Sequence, residues 1–267
     1  MSAEDYLMQR VLAHPAPVIF DCGANYGANS LPVARAYPNA TIWAFEPTPN
    51  LVKHLIEQAS PNYHVVPAAV ADREGRETFN VSAVDDWGRS SLNQFGETIH
   101  SAYSKQADFC VFTDTLEVDC IRMDNFCAKH GITAIHYLHV DTQGSDLLVL
   151  KGFGKMLGIV ECGVVEVARK SKTKLYRNSP TRSEMAAFLH QNGFSILEVV
   201  PNDTKNAEQN VFFQRSPSMG ALMRTLHYRL AVLKGWVRTF FPRLRVRLAI
   251  RSRLRNLKTK MGLGRSR

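Results

Sequence analysis

Residues 18 to 27 constrain the fold of this chain most strongly, because an apolar run ends in an acid and then opens into two glycines. The run begins with β-branched and aromatic residues, which are typical of a strand covered on both faces. Gly23 and Gly27 permit a tight turn and close approach of the backbone, and a helix can start near residue 30. The pattern predicts a buried strand that leads into a nucleotide-binding turn.

The glycine spacing and a second acid distinguish between two nucleotide cofactors. The turn reads Asp21-Cys-Gly-Ala-Asn-Tyr-Gly27, whereas a dinucleotide fingerprint requires Gly-x-Gly-x-x-Gly. Residues 41 to 45 read as a second strand that ends at Glu46, where an acid can accept both ribose hydroxyls of an adenosine. Together these features indicate S-adenosylmethionine rather than NAD. The alternative that Asp21 and Glu46 only cap loops stays open at this point.

Five segments follow one another in a recognisable order. They are Phe20-Asp-Cys-Gly-Ala-Asn-Tyr-Gly27, Ala44-Phe-Glu-Pro47, Val66-Pro-Ala-Ala-Val-Ala-Asp72, Val140-Asp-Thr-Gln-Gly-Ser-Asp146 with Val149-Leu-Lys-Gly152, and Val165-Glu166 followed by Leu175-Tyr176. Over about residues 15 to 215 this series resembles the motifs of FkbM-type methyltransferases. The resemblance implies a class I methyltransferase fold, S-adenosylmethionine as cofactor, and usually a hydroxyl acceptor on a glycan, a polyketide or a similar natural product.

The resemblance also implies roles for the residues around the first turn. Glu46 holds the ribose, and Asp21 orients the loop or reaches the methionine ammonium through water. The loop backbone approaches the amino-acid part of the cofactor. The residues that allow this approach are Gly23, Ala24, Asn25 and Gly27.

The segment after the fourth strand departs from the family pattern Lys-x-Asp-x-Glu-Gly-x-Glu, because here it reads His139-Val-Asp-Thr-Gln-Gly-Ser-Asp146. Methyl transfer to a hydroxyl requires alignment and a base. Strand alternation puts Tyr137, His139 and Asp141 on one face. Asp141 is the leading candidate base, and His139 is the second. Alternatively, His139 is a packed side chain bonded to a backbone carbonyl, and Asp141 caps the helix that starts at Gly144.

Further acids follow the fourth and fifth strands. Glu166 either faces the acceptor pocket or anchors an arginine such as Arg169. Asp141, Asp146 and Glu166 could also bind a divalent cation, but the sequence gives no coordination set, so we predict no metal.

The order of elements predicts a doubly wound α/β domain with a mostly parallel, seven-stranded, Rossmann-like sheet. Residues 76 to 118 break the alternation and predict an inserted hairpin or lid, which either shapes the acceptor pocket or only decorates the surface. The predicted strands are 18–21, 41–45, 63–67, 135–140, 162–168, 194–200 and 209–214; the predicted helices are 4–12, one from about 30, 49–59, 122–130, 144–157 and 182–192.

Charge divides the chain into two parts. Residues 1–208 hold 18 Lys or Arg and all 24 acids, whereas residues 209–267 hold 15 Lys or Arg and no acid. We therefore predict a methyltransferase domain over 1–215 and a basic, partly amphipathic extension over 216–267. Within the extension, apolar residues recur every three or four positions, as expected for a helical stripe. The stripe consists of Leu222, Leu226, Leu230, Leu233, Val237 and Phe240.

The basic extension has three readings. With Trp236, Phe240 and Phe241 it suits an anionic membrane surface. It could instead be a packed helix followed by a solvated tail, or it could bind nucleic acid, which the lack of aromatic residues after Phe241 disfavours. We expect a cytoplasmic protein, peripheral at the inner face of the membrane under the first reading, because the five cysteines show no Cys-x-x-Cys pair and no run is long and apolar enough to span a membrane.

The leading function is oxygen-directed methylation of a small-molecule or glycan acceptor: a glycan, a lipid-linked sugar or a natural-product hydroxyl. A membrane-associated binding protein that keeps a degenerate methyltransferase fold is the alternative from another class. A nucleic-acid methyltransferase is disfavoured, because no Asn/Asp-Pro-Pro-aromatic motif follows the fourth strand. The glycine spacing argues against an NAD-dependent oxidoreductase.

Overall fold

A computed structural model of the chain describes residues 2–82, 88–99, 110–202, 207–216 and 221–240. Its centre is a sheet of seven strands, which are β1 Val18–Cys22, β2 Thr41–Phe45, β3 Tyr63–Val66, β7 Tyr137–Val140, β8 Cys162–Ala168, β9 Phe194–Pro201 and β10 Glu208–Arg215. The strand order is β3-β2-β1-β7-β8-β10-β9. The strands from β3 to β8 in this order are parallel, and β10 is antiparallel to both of its neighbours. This confirms the predicted fold class.

Helices cover both faces of the sheet. They are α1 Ala3–Leu12, α2 Leu31–Ala36, α3 Pro49–Gln58, α4 Met123–His130, α5 Asp146–Gly152, α6 Arg182–Gln191 and α7 Ala221–Phe240. Helices α1 and α2 pack on one face, where Leu7 and Leu31 meet Ile19 of β1. Helices α4, α5 and α6 pack on the other face, where Phe20 belongs to the larger core cluster.

Most element boundaries agree with the sequence prediction to within two residues, but the C-terminal end of the predicted helix 144–157 is wrong. Helix α5 begins at Asp146 and ends at Gly152, and a separate 3-10 helix follows over Gly154–Ile159. Gly154 has a φ of 49°, which an α-helix does not allow. A Cβ atom on Gly152 would lie 2.2 Å from the carbonyl oxygen of Ala71, so the helix end packs directly on the neighbouring backbone.

The predicted insertion forms a second sheet beside the first. Its strands are β4 (Ala69–Val70), β5 (Gly75–Ser82) and β6 (Phe112–Ile121). Strand β5 pairs antiparallel with β6, and β6 pairs parallel with the short strand β4. The parts of the insertion over 83–87 and 100–109 lie outside the described residues.

Helix α7 follows the last strand and packs against β9. Ala231 is buried there, and Tyr228 and Val232 pack on the same core cluster. None of the described helices is long and apolar enough to span a bilayer. Part of the predicted extension lies outside the side chains that the structure describes, namely Leu222, Phe240, Phe241 and the basic run 243–267. The division of the chain at residue 215 therefore stays a prediction.

Candidate functional site

The loop after β1 lies where the sheet changes direction, because the chain runs outward from β1 through β2 to β3 and later from β7 to β8 on the other side. Ligands of such sheets bind at the carboxyl ends of the strands near this point. The amides of Gly23 and Ala24 both donate to the carbonyl of Phe45, at 2.9 and 3.0 Å. Gly23 has a φ of 84°, and a Cβ atom there would lie 1.9 Å from the carbonyl oxygen of Asp141. Glycine is therefore required where the loop crosses the end of β7.

Glu46 is buried at the end of β2 and holds the same loop. Its Oε2 accepts the backbone N–H of Asn25, and its Oε1 accepts that of Thr48, both at 2.9 Å. Burial raises the pKa of Glu46 from its usual value, although these hydrogen bonds oppose the shift. Because a carboxylate oxygen has two lone pairs, the Glu46 carboxylate can still accept a hydrogen bond from a ligand.

A cavity opens beside Glu46, which we call the first cavity. Its walls come from the loop after β1, the end of β2, strand β4, the insertion and the loop after β7. The residues that line it include Ala24, Asn25, Glu46, Ala69, Leu92 and Asp141. Asn25 is one of these lining residues, and its buried Oδ1 atom has no hydrogen-bond partner among the described residues. An apolar wall, a carboxylate with free lone pairs and an unpartnered acceptor fit an adenosine that carries a cationic amino-acid group, as S-adenosylmethionine does.

The residues predicted to bind the cofactor divide into three groups. Gly23, Ala24, Asn25 and Glu46 line the first cavity. Gly27 turns the loop with a φ of 73° but does not line it. Asp21 is not among the described residues that line the first cavity. The cofactor contacts of these residues stay predictions.

Asp21 is instead paired with His139. Parallel pairing of β1 with β7 places these two residues opposite each other, and Asp21 Oδ1 lies 2.8 Å from His139 Nδ1. Burial lowers the pKa of His139, but the hydrogen bond and charge of Asp21 outweigh burial and raise that pKa to about 9. His139 Nε2 lies 3.4 Å from the Asn29 amide. The alternative in which His139 bonds a backbone carbonyl is therefore wrong, because its partner is a carboxylate.

The pair faces a second cavity on the side of the sheet covered by α1 and α2. Its polar lining includes Asp21, Asn29, His139, Asp141, Asn202 and Asn210, together with Glu4, Ser30 and Tyr137. The His139 side chain keeps 18% of its surface exposed, whereas that of Asp21 keeps 2%. Asn29 and Asp141 line both cavities, so the two cavities are neighbours at these residues. The strand alternation that put His139 and Asp141 on one face is confirmed.

Asp141 is held by its own loop. Its Oδ1 accepts the Gln143 amide at 2.6 Å, and burial raises its pKa from the usual value, against the opposing charge of His139. The alternative in which Asp141 caps the next helix is wrong, because α5 begins at Asp146 with Ser145 as its N-cap.

Sequence reasoning missed the role of Gln143 and Tyr176. Gln143 has a φ of 51°, which is uncommon for a residue with a side chain. Its Oε1 lies 2.6 Å from the hydroxyl of Tyr176, which is also 3.0 Å from the carbonyl of Arg89 in the insertion. Ser91 Oγ donates to the Gln143 carbonyl at 2.6 Å. The loop that carries Asp141 is thus fixed to the insertion and to Tyr176, a residue that the sequence analysis quoted without giving it a function.

The remaining acids are buried side chains that bond to neighbouring groups. Glu166 accepts a hydrogen bond from the side-chain amide of Asn202. The partner of Glu166 is therefore Asn202 and not an arginine such as Arg169. Burial and like charges raise the pKa of Glu166 well above its usual range. Burial and the charge of Asp141 raise the pKa of Asp146 to about 7. Among the described residues, no group of three His, Cys, Asp or Glu could hold a metal ion, so the divalent-cation alternative gains no support.

Comparison with solved structures finds methyltransferases at low similarity. StiE O-MT residues 961–1257 align with a TM-score of 0.47 and 7% identity, over 86% of this chain and 78% of that one. The precorrin-6y C5,15-methyltransferase of Geobacter metallireducens GS-15 aligns with a TM-score of 0.41 and 11% identity, over 80% and 87% of the two chains.

Two curated relatives are similar in sequence. The 2-O-methyltransferase NoeI of Sinorhizobium fredii (strain NBRC 101917 / NGR234) is 28% identical over 148 residues, which are 53% of this chain and 59% of NoeI. The match thus spans less than two thirds of NoeI. The 31-O-demethyl-FK506 methyltransferase FkbM of Streptomyces tacrolimicus is 27% identical over 214 residues, 72% of this chain and 78% of that protein.

The family comparison covers more than half of the chain. Residues 21–196 match the profile described as the Methyltransferase FkbM domain, a range that holds the loops after β1 and β7 and the strands β2 to β8. This match confirms the resemblance found in the sequence and, with it, S-adenosylmethionine as the cofactor. The chain belongs to the FkbM family of methyltransferases.

Proposed function

We propose that this protein transfers the methyl group of S-adenosylmethionine to a hydroxyl oxygen of a sugar-like acceptor in the second cavity, with His139 as the base. The observation that carries the proposal is the His139–Asp21 pair, which opens into a cavity adjoining the first one at Asn29 and Asp141. The names of the two relatives, a 2-O- and a 31-O-directed enzyme, also favour oxygen as the acceptor atom.

The wall of the second cavity supports an acceptor with several hydroxyls. Asn29, Asn202 and Asn210 provide amides, which both donate and accept hydrogen bonds. Phe212 and Met8 add apolar surface to the same wall. Alternating polar and apolar contacts of this kind suit a sugar ring, whether it belongs to a glycan, a lipid-linked sugar or a natural product.

The residues of the site have distinct tasks in this reaction. The bound cofactor supplies a methyl group on a sulfonium sulfur, which leaves as a neutral thioether. His139 Nε2 accepts the proton that the acceptor hydroxyl loses, and Asp21 fixes the orientation of the ring through Nδ1. Asp141 stands between the two cavities and positions the acceptor hydroxyl; it is also the second candidate for the base.

The pKa of His139 sets the pH dependence of this step. With a pKa of about 9, His139 is protonated at neutral pH and cannot accept a proton. A cation in the neighbouring first cavity would repel the imidazolium and lower this pKa. We therefore expect the rate to rise with pH through an apparent pKa between neutrality and about 9.

The test uses labelled S-adenosylmethionine with cell extract separated into glycan, lipid and small-molecule pools, and three variants. We expect label in a hydroxyl-bearing product. His139→Gln keeps a hydrogen-bond donor toward Asp21 but cannot accept the proton, so turnover should fall about 100-fold or more. His64→Gln, at an exposed position on β3, is the matched control and should leave turnover unchanged.

Binding of S-adenosylhomocysteine, measured by calorimetry, separates chemistry from folding. His139→Gln should bind it as the wild type does, and the rise of rate with pH should disappear. If Asp141→Asn abolishes turnover while His139→Gln retains both turnover and its pH profile, then Asp141 is the base. A protein that binds no S-adenosylhomocysteine would contradict the proposal and favour the degenerate-fold alternative.

A further inference from the structure

Helix α7 uses a narrow face of small and medium side chains to pack on the sheet. Ala231 is 1% exposed, and Gly235 lies so close to β9 that a Cβ atom there would be 1.6 Å from the carbonyl oxygen of Val199. Tyr228 and Val232 flank these two positions and are partly buried. This face of α7 therefore packs against the sheet.

The opposite face exposes the large apolar side chains of the helix. Leu226, Leu230, Leu233 and Trp236 are 48%, 44%, 55% and 45% exposed. Their spacings of four, three and three residues place them within about one third of the helix circumference. They are half of the eight large apolar side chains that are exposed in the described part of the chain, so they form a patch rather than isolated surface residues.

This arrangement is the reverse of an ordinary surface helix, which buries its large apolar residues. A helix that buries Ala231 and Gly235 but exposes three leucines and Trp236 has a second surface to cover. Large exposed patches of this kind mark sites that bind a protein or a membrane.

The charge around the patch selects the chemistry of the partner. Arg229 and Lys234 are exposed on the same helix. No acid occurs after Glu208, and residues 241–267, which directly follow the helix, contain ten more Lys or Arg. A second copy of the chain would cover the leucines but would bring two strongly basic segments together. Nucleic acid would neutralise the charge but would not bury the exposed leucines.

An anionic membrane satisfies both requirements. Its acyl region accepts the apolar side chains, and its headgroups attract each nearby cation. Since no described helix can span a membrane, the matching geometry is a helix that lies in the interface. We propose that the exposed face of α7, formed by Leu226, Leu230, Leu233 and Trp236, docks the catalytic domain onto an anionic lipid surface.

The test is sedimentation of the full chain with sucrose-loaded vesicles. Vesicles of phosphatidylcholine with about one third phosphatidylglycerol should bind the protein, and vesicles of phosphatidylcholine alone should bind it much more weakly. Leu230→Gln combined with Leu233→Gln should weaken binding by about tenfold or more, because two half-exposed leucines lose their apolar contact. Ile56→Gln, at a 60% exposed position on α3, is the matched control and should bind as the wild type does.

Salt separates the apolar from the electrostatic contribution. At about 1 M salt the Debye length is about 3 Å, so attraction to headgroups is screened while leucine burial persists. The wild type should stay partly bound, and the double variant should be released. Complete release of both proteins would overturn the proposal in favour of a purely electrostatic partner such as nucleic acid. Concentration-dependent dimers that the double variant loses, with no vesicle binding, would assign the face to a second copy.

Fluorescence provides a measurement that does not depend on the double variant. Addition of anionic vesicles should shift the tryptophan emission of the wild type to the blue, and Trp236→Phe should lose this shift. An unchanged spectrum in the wild type would overturn the proposal. Loss of helical circular dichroism in the double variant would overturn it as well, since the leucines would then belong to the core.

Discussion

Replacing Gly23 by alanine would place a Cβ atom 1.9 Å from the carbonyl oxygen of Asp141. Both of the atoms that collide are fixed to backbone, so no side-chain rotation relieves the contact. The two segments are also tied together, because the amide of Asp141 donates to the carbonyl of Cys22 at 3.0 Å. The substitution should therefore push the loop after β1 away from the end of β7.

Two contributions to the free energy of unfolding can be separated with a matched control. Gly23 has a φ of 84°, and an alanine in such a conformation costs about 1 kcal/mol. Gly131, at the end of α4, has a φ of 64°, and a Cβ atom added there would meet no heavy atom within 4 Å, so Gly131→Ala carries the conformational cost alone. Relief of the collision adds about 1–3 kcal/mol at Gly23.

Urea denaturation measures the stability and calorimetry measures binding of S-adenosylhomocysteine. We expect a loss of about 1 kcal/mol for Gly131→Ala and about 2–4 kcal/mol for Gly23→Ala. Binding should be unchanged in the first variant and at least about tenfold weaker in the second, because the loop carries Ala24 and Asn25. Equal losses of stability together with unchanged binding would refute the steric argument.

Two further predictions concern buried carboxylates. Glu46→Gln points an amide NH₂ group at one of the two backbone N–H donors, so calorimetry should find S-adenosylhomocysteine bound about tenfold more weakly, while Glu57→Gln on the exposed side of α3 should bind normally. The pKa of Asp146 is about 7 in the folded protein, above the usual 3.8, so the folded state binds the proton more tightly and stability must fall as pH rises through this window. Urea denaturation at about pH 5 and about pH 8 measures the free energy of unfolding. Between these pH values it should fall by about 2–3 kcal/mol less in Asp146→Asn than in the wild type. An equal fall in both proteins would mean that Asp146 is not the titrating group.

Local sequence signals predicted the backbone structure around the first cavity. The strand, the glycine turn and Glu46 lie within 29 residues. The position of each is explained by backbone conformation or backbone hydrogen bonds. Gly23 and Ala24 bond Phe45 because β1 and β2 are adjacent parallel strands, which is the arrangement that the motif order predicts. Neighbouring elements in the chain were therefore enough for this part.

The proposed catalytic half of the site depends on the register between distant strands. Asp21 and His139 are 118 residues apart, and they meet only because β1 pairs with β7 at this position. The sequence identified both residues but gave them separate tasks. The αL conformation of Gln143 and its contact with Tyr176 also follow from packing against the insertion, which no local pattern encodes.

The orientation of α7 shows how a periodic pattern can be read correctly and still leave open which face is buried. The apolar stripe exists, but Gly235 and Ala231 let the opposite face approach β9 more closely than leucines could. The spacing of large apolar residues does not reveal this choice, because it takes no account of the small residues on the other face.

The charge of the site gives an independent reason for the cofactor that the glycine spacing indicated. Glu46 and Asp141 line the first cavity, and no lysine or arginine is among the described residues that line it. Burial raises the pKa of both acids because it disfavours their charged forms, so a cation bound beside them would favour their ionised state. A dinucleotide would add its pyrophosphate to that charge, whereas a sulfonium with an ammonium group offsets it. Glycine spacing and rim electrostatics thus select S-adenosylmethionine over NAD through separate physical causes, one in how closely the backbone can approach and the other in the sign of the ligand's charge.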